Sequence, residues 1–512
     1  MRQRHTCTYL FAAVRLWLRP LSRRQPLPVF CRLCRSTLRA ERIYSRWANL
    51  GAILTSQPLL AQLRAIVGES GISTEPDDLS HWGRDWTRAI APAPFAIVWP
   101  QTADQVVELV GACRAFGCPI VPSGGRTGLA AGAVASANEV VLSLDRLRAL
   151  GSIDPLNRSV TVGAGVPNQV LQEHCAPHGL WWPVDLASKG SATVGGNLST
   201  NAGGVKVLRY GHARNWMLGL QVVTSTGELL QLGGALHKDN SGYALSQLIV
   251  GSEGTLAIIT AATLALAPLP RDSEVALVAC RNLPAVLDLY ARLREQPIIF
   301  NAFEFFTAAC MNQVLSHTGL SRPLPHSEAY ALIDLENPGQ MDVARWLSEA
   351  TDVVIDAVVA TDANAARKLW QYRERISESL QPLRPHKNDV AVAISQLAQL
   401  ADRVSAWLRH NRPQWDVALF GHVGDGNLHV NTLAPADLTG AQWQLACAEA
   451  DAELYAIVGS FGGSLSAEHG VGLSKKAYLS VTRSPAEVAM MRTIKAALDP
   501  RNMLNPGKIF DV

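Results

Sequence analysis

The stretch GHVGDGNLHVN, residues 421–431, sets His422 and His429 on either side of Asp425-Gly426. An Asp-Gly dipeptide between apolar flanks predicts a hairpin with a two-residue loop. In that register Val423 faces Leu428 and His422 faces His429, and Asn431 follows on the same face two residues further on. Two imidazoles and an amide then converge. Neutral imidazole is a common ligand of zinc and its neighbours, so the spacing suits a divalent metal. A half-exposed surface pair is the alternative, and a third ligand has to come from elsewhere in the chain.

Other stretches offer complementary chemistry. SLSAEHGVG at 464–472 sets a carboxylate and an imidazole side by side, Glu468 and His469; taken singly, they read as a capping carboxylate and a satisfied core histidine. LWQYRERISESL at 369–380 puts Arg373 and Ser377 four residues apart, on one face of a helix, and Lys387 follows in HKNDV. For most charges of that segment a solvated amphipathic face is the simpler reading. Three stretches are dense in glycine: PSGGRTGLAAGA at 122–133, ASKGSATVGGNLSTNAGG at 187–204 and GSEGTLAII at 251–259. Glycine lets backbone N–H groups approach an anion closely, so such loops can cradle a pyrophosphate, although structural turns share their composition. None matches GxGxxG or GxxxxGKS/T, which removes the Rossmann fingerprint and the P-loop.

These residues need elements to hold them. From residue 96, AIVWPQTADQVVELVGACRAFGCPIVPSGG predicts strand, helix, strand. Thr102 and Gln105 form a capping box, Val106, Leu109, Val110 and Cys113 share one apolar face, and Gly117 ends the helix. The unit delivers the chain into the first glycine loop, where α/β proteins often bind phosphates. The apolar run GTLAIITAATLALAPLP from Gly254 is short for a membrane span and reads as buried strand. Gly and β-branched residues dominate 122–270, whereas 275–455 alternates strand-like runs with Arg- and Leu-rich helices, so a domain boundary is expected near Pro268 to Arg271. Ser484-Pro485-Ala486-Glu487 opens a last helix with Val488, Met491 and Leu498 on its inner face.

A chain of 512 residues exceeds one compact core, and 48% hydrophobic with 17% charged residues excludes global disorder. The formal charge of +3 hides a division: residues 1–50 carry eleven Arg and one acid, Glu41, which leaves 35 basic against 42 acidic residues in the rest. That mildly acidic remainder argues against a nucleic-acid surface. The Arg-rich opening has the composition of a mitochondrial presequence, but its Pro, Cys and Trp and weak helical periodicity favour the alternative, a start placed too far upstream. Nine Cys are scattered, and the CxxC of Cys31 and Cys34 has no second pair, so neither a zinc ribbon nor a disulfide framework is expected.

The order and wording of the glycine stretches carry a family resemblance. PSGGRTGLAAG, then PVDLASKGSATVGGNLSTNAGGVKVLRYG, then HKDNSGYALSQLIVGSEGTLAIIT resembles flavoproteins of the p-cresol methylhydroxylase and vanillyl-alcohol oxidase type. Within that group the chain looks most like the D-2-hydroxyacid dehydrogenases, especially those of D-2-hydroxyglutarate and D-lactate, from about residue 60 to 510. The resemblance implies an α+β fold: an FAD-binding domain of two subdomains over 53–270, an α+β substrate or cap domain over 271–455 carrying the hairpin, and a C-terminal helical segment over 456–512 that completes the active site; residues 1–52, outside the resemblance, are expected to be a disordered leader or a misassigned start. Pro122, Ser123, Gly124, Gly125, Arg126, Thr127 and Gly128 are implied to wrap the FAD pyrophosphate. Asp185, Ser191, Gly195, Gly196, Asn197, Asn201, Gly203, Gly204, Gly254 and Ile258 are implied to line the rest of the FAD path. Relatives with covalent flavin have a His after the GG pair; Arg126 stands there instead, so FAD is expected to be non-covalent.

The same resemblance makes Glu468 the third metal ligand beside His422 and His429, giving a zinc or other divalent site with room for substrate. It makes His469 the general base and Arg373, Ser377 and Lys387 the binders of a substrate carboxylate, with Asn431 hydrogen-bonding substrate or flavin. Ser377 keeps the hydroxyl of a family Thr, and Ala393 departs from a family Pro after KND. The implied reaction oxidises a D-2-hydroxy acid to the 2-oxo acid. Electrons pass on to an electron-transferring flavoprotein, a quinone or a cytochrome system, since no NAD motif is present. An oxygen-using D-2-hydroxyacid or glycolate oxidase, a zinc hydrolase and a non-catalytic FAD-binding subunit are the competing readings. Oligomeric state stays open, a homodimer included. The expected location is the cytoplasm of a bacterium, at most peripheral to the inner membrane, or the mitochondrion if the Arg-rich leader is genuine.

Overall fold

Strand Ala96–Val98, helix Ala103–Phe116 and strand Ile120–Ser123 follow one another as their pattern predicts. Thr102 Oγ1 accepts from the Gln105 N–H at 3.2 Å, and Gly117 ends the helix in the left-handed region at φ 66°. The Gln105 side chain accepts from the Gln101 N–H, one residue before the partner a full capping box requires. Val106, Leu109, Val110 and Cys113 are all buried. Val140–Ser143 lies between the two strands and parallel to both, and Ile72–Ser73 completes a four-stranded sheet. The computed structural model describes residues 57–87, 90–270 and 273–512. Leu59–Val512 forms one compact unit. The leader, Cys31, Cys34 and Arg271 of the expected boundary lie outside the described residues.

A second sheet is antiparallel throughout, in the order Ser159–Gly163, Ile258–Ala265, Met217–Val223, Leu229–Gly233. Its second strand is the apolar run after Gly254. The two sheets share a core that includes Ile120, Leu142, Trp182, Leu220 and Leu264, joined by Met503 and Leu504 from the far end of the chain. From Glu274 onward, seven antiparallel strands form a third sheet in the order Val354–Val359, Glu274–Cys280, Ala329–Glu336, Ile299–Thr307, Asp416–Gly421, Asn427–Leu433, His386–Ala391. Alternation sorts its side chains: Val278, Phe303 and Phe305 meet helices Leu283–Leu293, Leu397–Asn411 and Gly440–Ser460, whereas Leu277, Phe306 and Phe420 meet helices Ala308–Thr318 and Ala363–Glu374. No helix among the described residues is long and apolar enough to cross a membrane.

The last helix, Pro485–Leu498, has the expected box of Ser484 and Glu487. Its inner face differs from expectation. Leu498 is 41% exposed, and Lys495 and Asp499 turn inward in its stead. Lys495 Nζ donates to the carbonyls of Thr255 and Leu504 and to Asp499 Oδ2, so every donor of the buried ammonium is used. This staples the end of the chain to the first half.

Lys508 is buried without such bonds. Its ammonium lies 3.9 Å from Glu139 and has no hydrogen-bond partner among the described residues, and burial pushes it down to about 8 from 10.5. Between those two values the unfolded chain keeps a proton that the folded chain has released. This group's contribution to stability therefore rises with pH. The stability of the wild type relative to Lys508→Met is expected to increase by about 1.4 kcal/mol from pH 7 to pH 9. Urea unfolding at the two pH values checks this, and a flat difference refutes it.

Candidate active site

The hairpin forms, but in another register. Strands Asp416–Gly421 and Asn427–Leu433 pair Phe420, not His422, with His429, and the connection runs from His422 to Gly426. Gly426 adopts φ 89°, and a Cβ there would lie 2.3 Å from the Val392 carbonyl, so the Asp-Gly turn packs against a neighbouring segment instead of closing a two-residue loop. The slip is by an even number of residues, which preserves the face. His422 and His429 still converge, with ring centroids 5.3 Å apart.

Glu468 and His469 arrive from a loop beside them. Glu468 Oε1 is 3.9 Å from both His422 Nε2 and His469 Nε2, and the His429 and His469 rings stack at 6.0 Å. Asp389, His429, Glu468 and His469 bring their ligand atoms within 4.8 Å of one another, a group able to hold a metal ion. Asp389 is otherwise engaged: its Oδ2 accepts from the backbone N–H groups of Ala467, Glu468 and His469 at 3.0, 2.9 and 3.1 Å, and its Oδ1 from Asn427 Nδ2. Oδ1 also lies 3.4 Å from His429 Nδ1. His422 Nδ1 is 2.7 Å from Glu304 Oε1. Each histidine thus has a carboxylate on Nδ1 and a free Nε2, the usual arrangement of metal-binding imidazoles. Burial pulls the His422 imidazolium down, yet the Glu304 charge and hydrogen bond outweigh it and push the group up to about 9. Burial raises Asp389, but His469, His429 and Lys475 hold its carboxyl well below the usual range. For His469 burial dominates and keeps the ring neutral, against the pull of Asp389.

Of the expected carboxylate binders, Arg373 is 7% exposed, with its Nε 2.8 Å from Glu304 Oε2 and its guanidinium over the Phe420 ring at 4.9 Å. Its Nη groups donate to no protein acceptor among the described residues. The helix expected to carry Arg373 and Ser377 on one face stops at Glu374; Ile376–Leu380 is a separate turn on which Ser377 is exposed. Lys387 lies opposite Asn431 in the sheet, half-buried, pushed down by burial and without an ion pair among the described residues. It lines a cleft of about 340 Å³ with Trp86, Thr87, Asn388 and Asp451.

The glycine loops meet in the first half. The backbone N–H groups of 124–128 donate to no protein acceptor among the described residues. Ser123 and Ser143, paired across the parallel strands, are buried, and their hydroxyls have no partner among the described residues. A Cβ on Gly125 would lie 2.0 Å from the Ser191 carbonyl, so only glycine lets these two loops touch. Such a run of free amides is a nest for an anion, and it fits the pyrophosphate of FAD. Arg126 has φ 56°, pairs with Asp145 at 3.2 Å and stacks on Trp82 at 3.7 Å. Gly254, at φ 72°, packs on Pro122, and Ile258 is buried in its strand. Gly195 is pressed against Ala164, while Gly196 donates to Thr193 Oγ1. Asn197 turns into the core to bond Asn168, and Asn201, at φ 51°, accepts from the Arg214 N–H. Gly203 packs beside His212 and Gly204 against the Asp185 carbonyl. The Gly204 N–H donates to Glu468 Oε2 at 3.3 Å, which ties this cradle to the cluster on the seven-stranded sheet.

Four residues of this network were not singled out by the sequence. Glu253, buried and at φ 52°, accepts from the N–H groups of Val471 and Gly472 at 2.7 and 2.8 Å. With Asp389 it grips both ends of the 467–472 loop. Lys475 donates to the Leu465 carbonyl beneath that loop. Glu304 stands in FNAFEFF, where a lone carboxylate in an apolar strand was the available signal, because burial there demands a partner; Asp389 follows the polar run HKN and carried no such signal.

Residues 94–233 match the family described as FAD binding domain, and residues 269–509 the family described as FAD linked oxidases, C-terminal domain. Among solved structures the fold is similar to p-cresol methylhydroxylase with substrate bound, at TM-score 0.70 and 17% identity over 89% of this chain and 97% of that one. It is also similar to alkyldihydroxyacetonephosphate synthase, at TM-score 0.68 and 17% identity over 88% and 84%. Fold and matches define an FAD-dependent oxidoreductase with the p-cresol methylhydroxylase type of FAD-binding architecture. The sequence is 42% identical to a D-2-hydroxyglutarate dehydrogenase of Xanthomonas citri pv. viticola, over 89% of this chain and 98% of that protein. It is 36% identical to one of Stutzerimonas stutzeri, over 89% and 100%, and 34% identical to a mitochondrial one of Bos taurus, over 90% and 84%. The chain belongs to the D-2-hydroxyglutarate dehydrogenase family of FAD-dependent oxidoreductases.

Proposed function

We propose that this protein oxidises a D-2-hydroxy acid, foremost D-2-hydroxyglutarate, to the 2-oxo acid, using FAD and a divalent metal held by His422, His429 and Glu468. The observation that carries this reading is the convergence of those three side chains with His469 and Arg373 on one sheet face, joined to the glycine cradle through the Gly204–Glu468 hydrogen bond. The names of the relatives support the choice of acid. When bound, FAD supplies the acceptor for the C2 hydride, and a divalent ion supplies the Lewis acidity that eases loss of the hydroxyl proton. His469 takes that proton at Nε2, the ring nitrogen remote from Asp389. Arg373 presents its free Nη pair to a substrate carboxylate, and Lys387 and Asn431 stand side by side across the strands to fix the far end of the substrate. The electrons then leave to an electron-transferring flavoprotein, a quinone or a cytochrome system.

The test is an anaerobic absorbance titration of the purified protein with the D- and L-forms of 2-hydroxyglutarate and lactate, before and after chelator treatment. Bleaching of the flavin band by D-2-hydroxyglutarate, lost on chelation and restored by zinc, is expected. A flavin band that no D-2-hydroxy acid bleaches refutes the substrate class, and bleaching indifferent to chelator refutes the metal.

A further inference from the structure

Strand Ile299–Thr307 reads IFNAFEFFT, and Glu304 interrupts its apolar run. The residue is 1% exposed and central in the seven-stranded sheet. A carboxylate in such a place is costly unless both oxygens are matched. Here they are matched by two different parts of the site. Oε1 faces His422 Nδ1 at 2.7 Å, and Oε2 faces Arg373 Nε at 2.8 Å, an ion pair rather than an aligned hydrogen bond.

Each contact fixes its partner. With Nδ1–H donated to the carboxylate, Nε2, the nitrogen turned toward Glu468, is the one that offers its lone pair once a metal displaces the second proton. With Nε held by the carboxylate, and the guanidinium laid on Phe420, Arg373 keeps both Nη groups for a ligand. We infer that Glu304 is a shared positioning residue: one buried carboxylate sets the metal-binding tautomer of His422 and the anion-binding orientation of Arg373. This rests on the metal and substrate assignment above.

Glutamine has the same shape and cannot serve both partners. If its oxygen stays on His422, its NH₂ meets the Arg373 N–H, donor against donor. If it turns, the NH₂ faces His422 Nδ1 and selects the tautomer with a proton on Nε2, where a metal would bind. The experiment uses FAD-loaded wild type, Glu304→Gln and Glu304→Asp without turnover. Zinc affinity is measured against a competing chromophoric chelator, and the affinity of 2-oxoglutarate, the probe anion, from its perturbation of the flavin spectrum. Flavin content and thermal melting serve as the check on folding.

Zinc is expected to bind Glu304→Gln at least tenfold more weakly than wild type, with Glu304→Asp between them because it keeps the charge on a shorter arm. The anion is expected to bind at least fivefold more weakly. Losing a negative charge beside Arg373 would by itself tighten an anion, so weaker binding is the signature of lost orientation. Unchanged zinc affinity, or an anion bound as tightly as or more tightly than by wild type, overturns the shared role. Should Glu304→Gln not fold, Glu304→Asp alone decides by the same two criteria. A wild type that takes up no zinc refutes the metal assignment itself, and the anion titration then decides whether Glu304 positions Arg373.

Discussion

His469→Ala is expected to lower turnover by roughly 10²- to 10⁴-fold, the usual contribution of a positioned general base, while FAD and metal stay bound. The geometry separates these effects. Asp389 holds the loop through the backbone amides of Ala467, Glu468 and His469, and none of these bonds uses the imidazole. The proposed ligands His422, His429 and Glu468 keep their partners when the ring is removed. Stopped-flow measurement of flavin reduction checks the rate, and metal and flavin content check the rest. A near-normal rate assigns His469 to structure alone.

His422→Ala and Glu468→Ala are expected to remove the metal and, with it, measurable turnover, leaving the flavin absorbance intact. Loss of an outer partner of a metal ligand typically costs 10- to 100-fold in affinity, and loss of a ligand should exceed roughly 100-fold. Flavin should survive because its cradle, the free amides of 124–128 with Ser123 and Ser191, lies in the other half of the chain. Elemental analysis after gel filtration, alongside activity with added zinc, reads the result. Metal retained at full stoichiometry in both variants refutes the ligand set.

Much of this site was legible because its parts are local. The Asp-Gly hairpin, the adjacent Glu468 and His469, and the glycine loops are short stretches whose composition dictates their shape or chemistry. The even register slip shows the limit of that reading: periodicity of two protected the face on which His422 lies, but the identity of its opposite residue depended on packing of Gly426 against Val392. The last helix shows another limit. Apolar spacing marked Leu498 as inward, whereas an ion pair with all donors satisfied put Lys495 and Asp499 inside. Arg373 and Ser377 failed to share a helical face because the helix breaks between them at Arg375, where no Pro or Gly announces a stop. Glu304, Asp389 and Glu253 act through partners from 38 to 219 residues away, and such pairings are properties of topology.

The two carboxylates on the 467–472 loop have one more consequence. Glu253 belongs to the half with the glycine cradle and Asp389 to the seven-stranded sheet, yet together they take five N–H groups of one short loop. The loop is therefore a keystone: it is indexed to both flanking bodies at once. Prising them apart would strip charge-assisted bonds from one carboxylate or the other in a single event, leaving a buried anion bare. Displacement of either body is thereby opposed at the same loop, and the gap between the nucleotide nest and the imidazole cluster is held by these five bonds as by a fixed spacer.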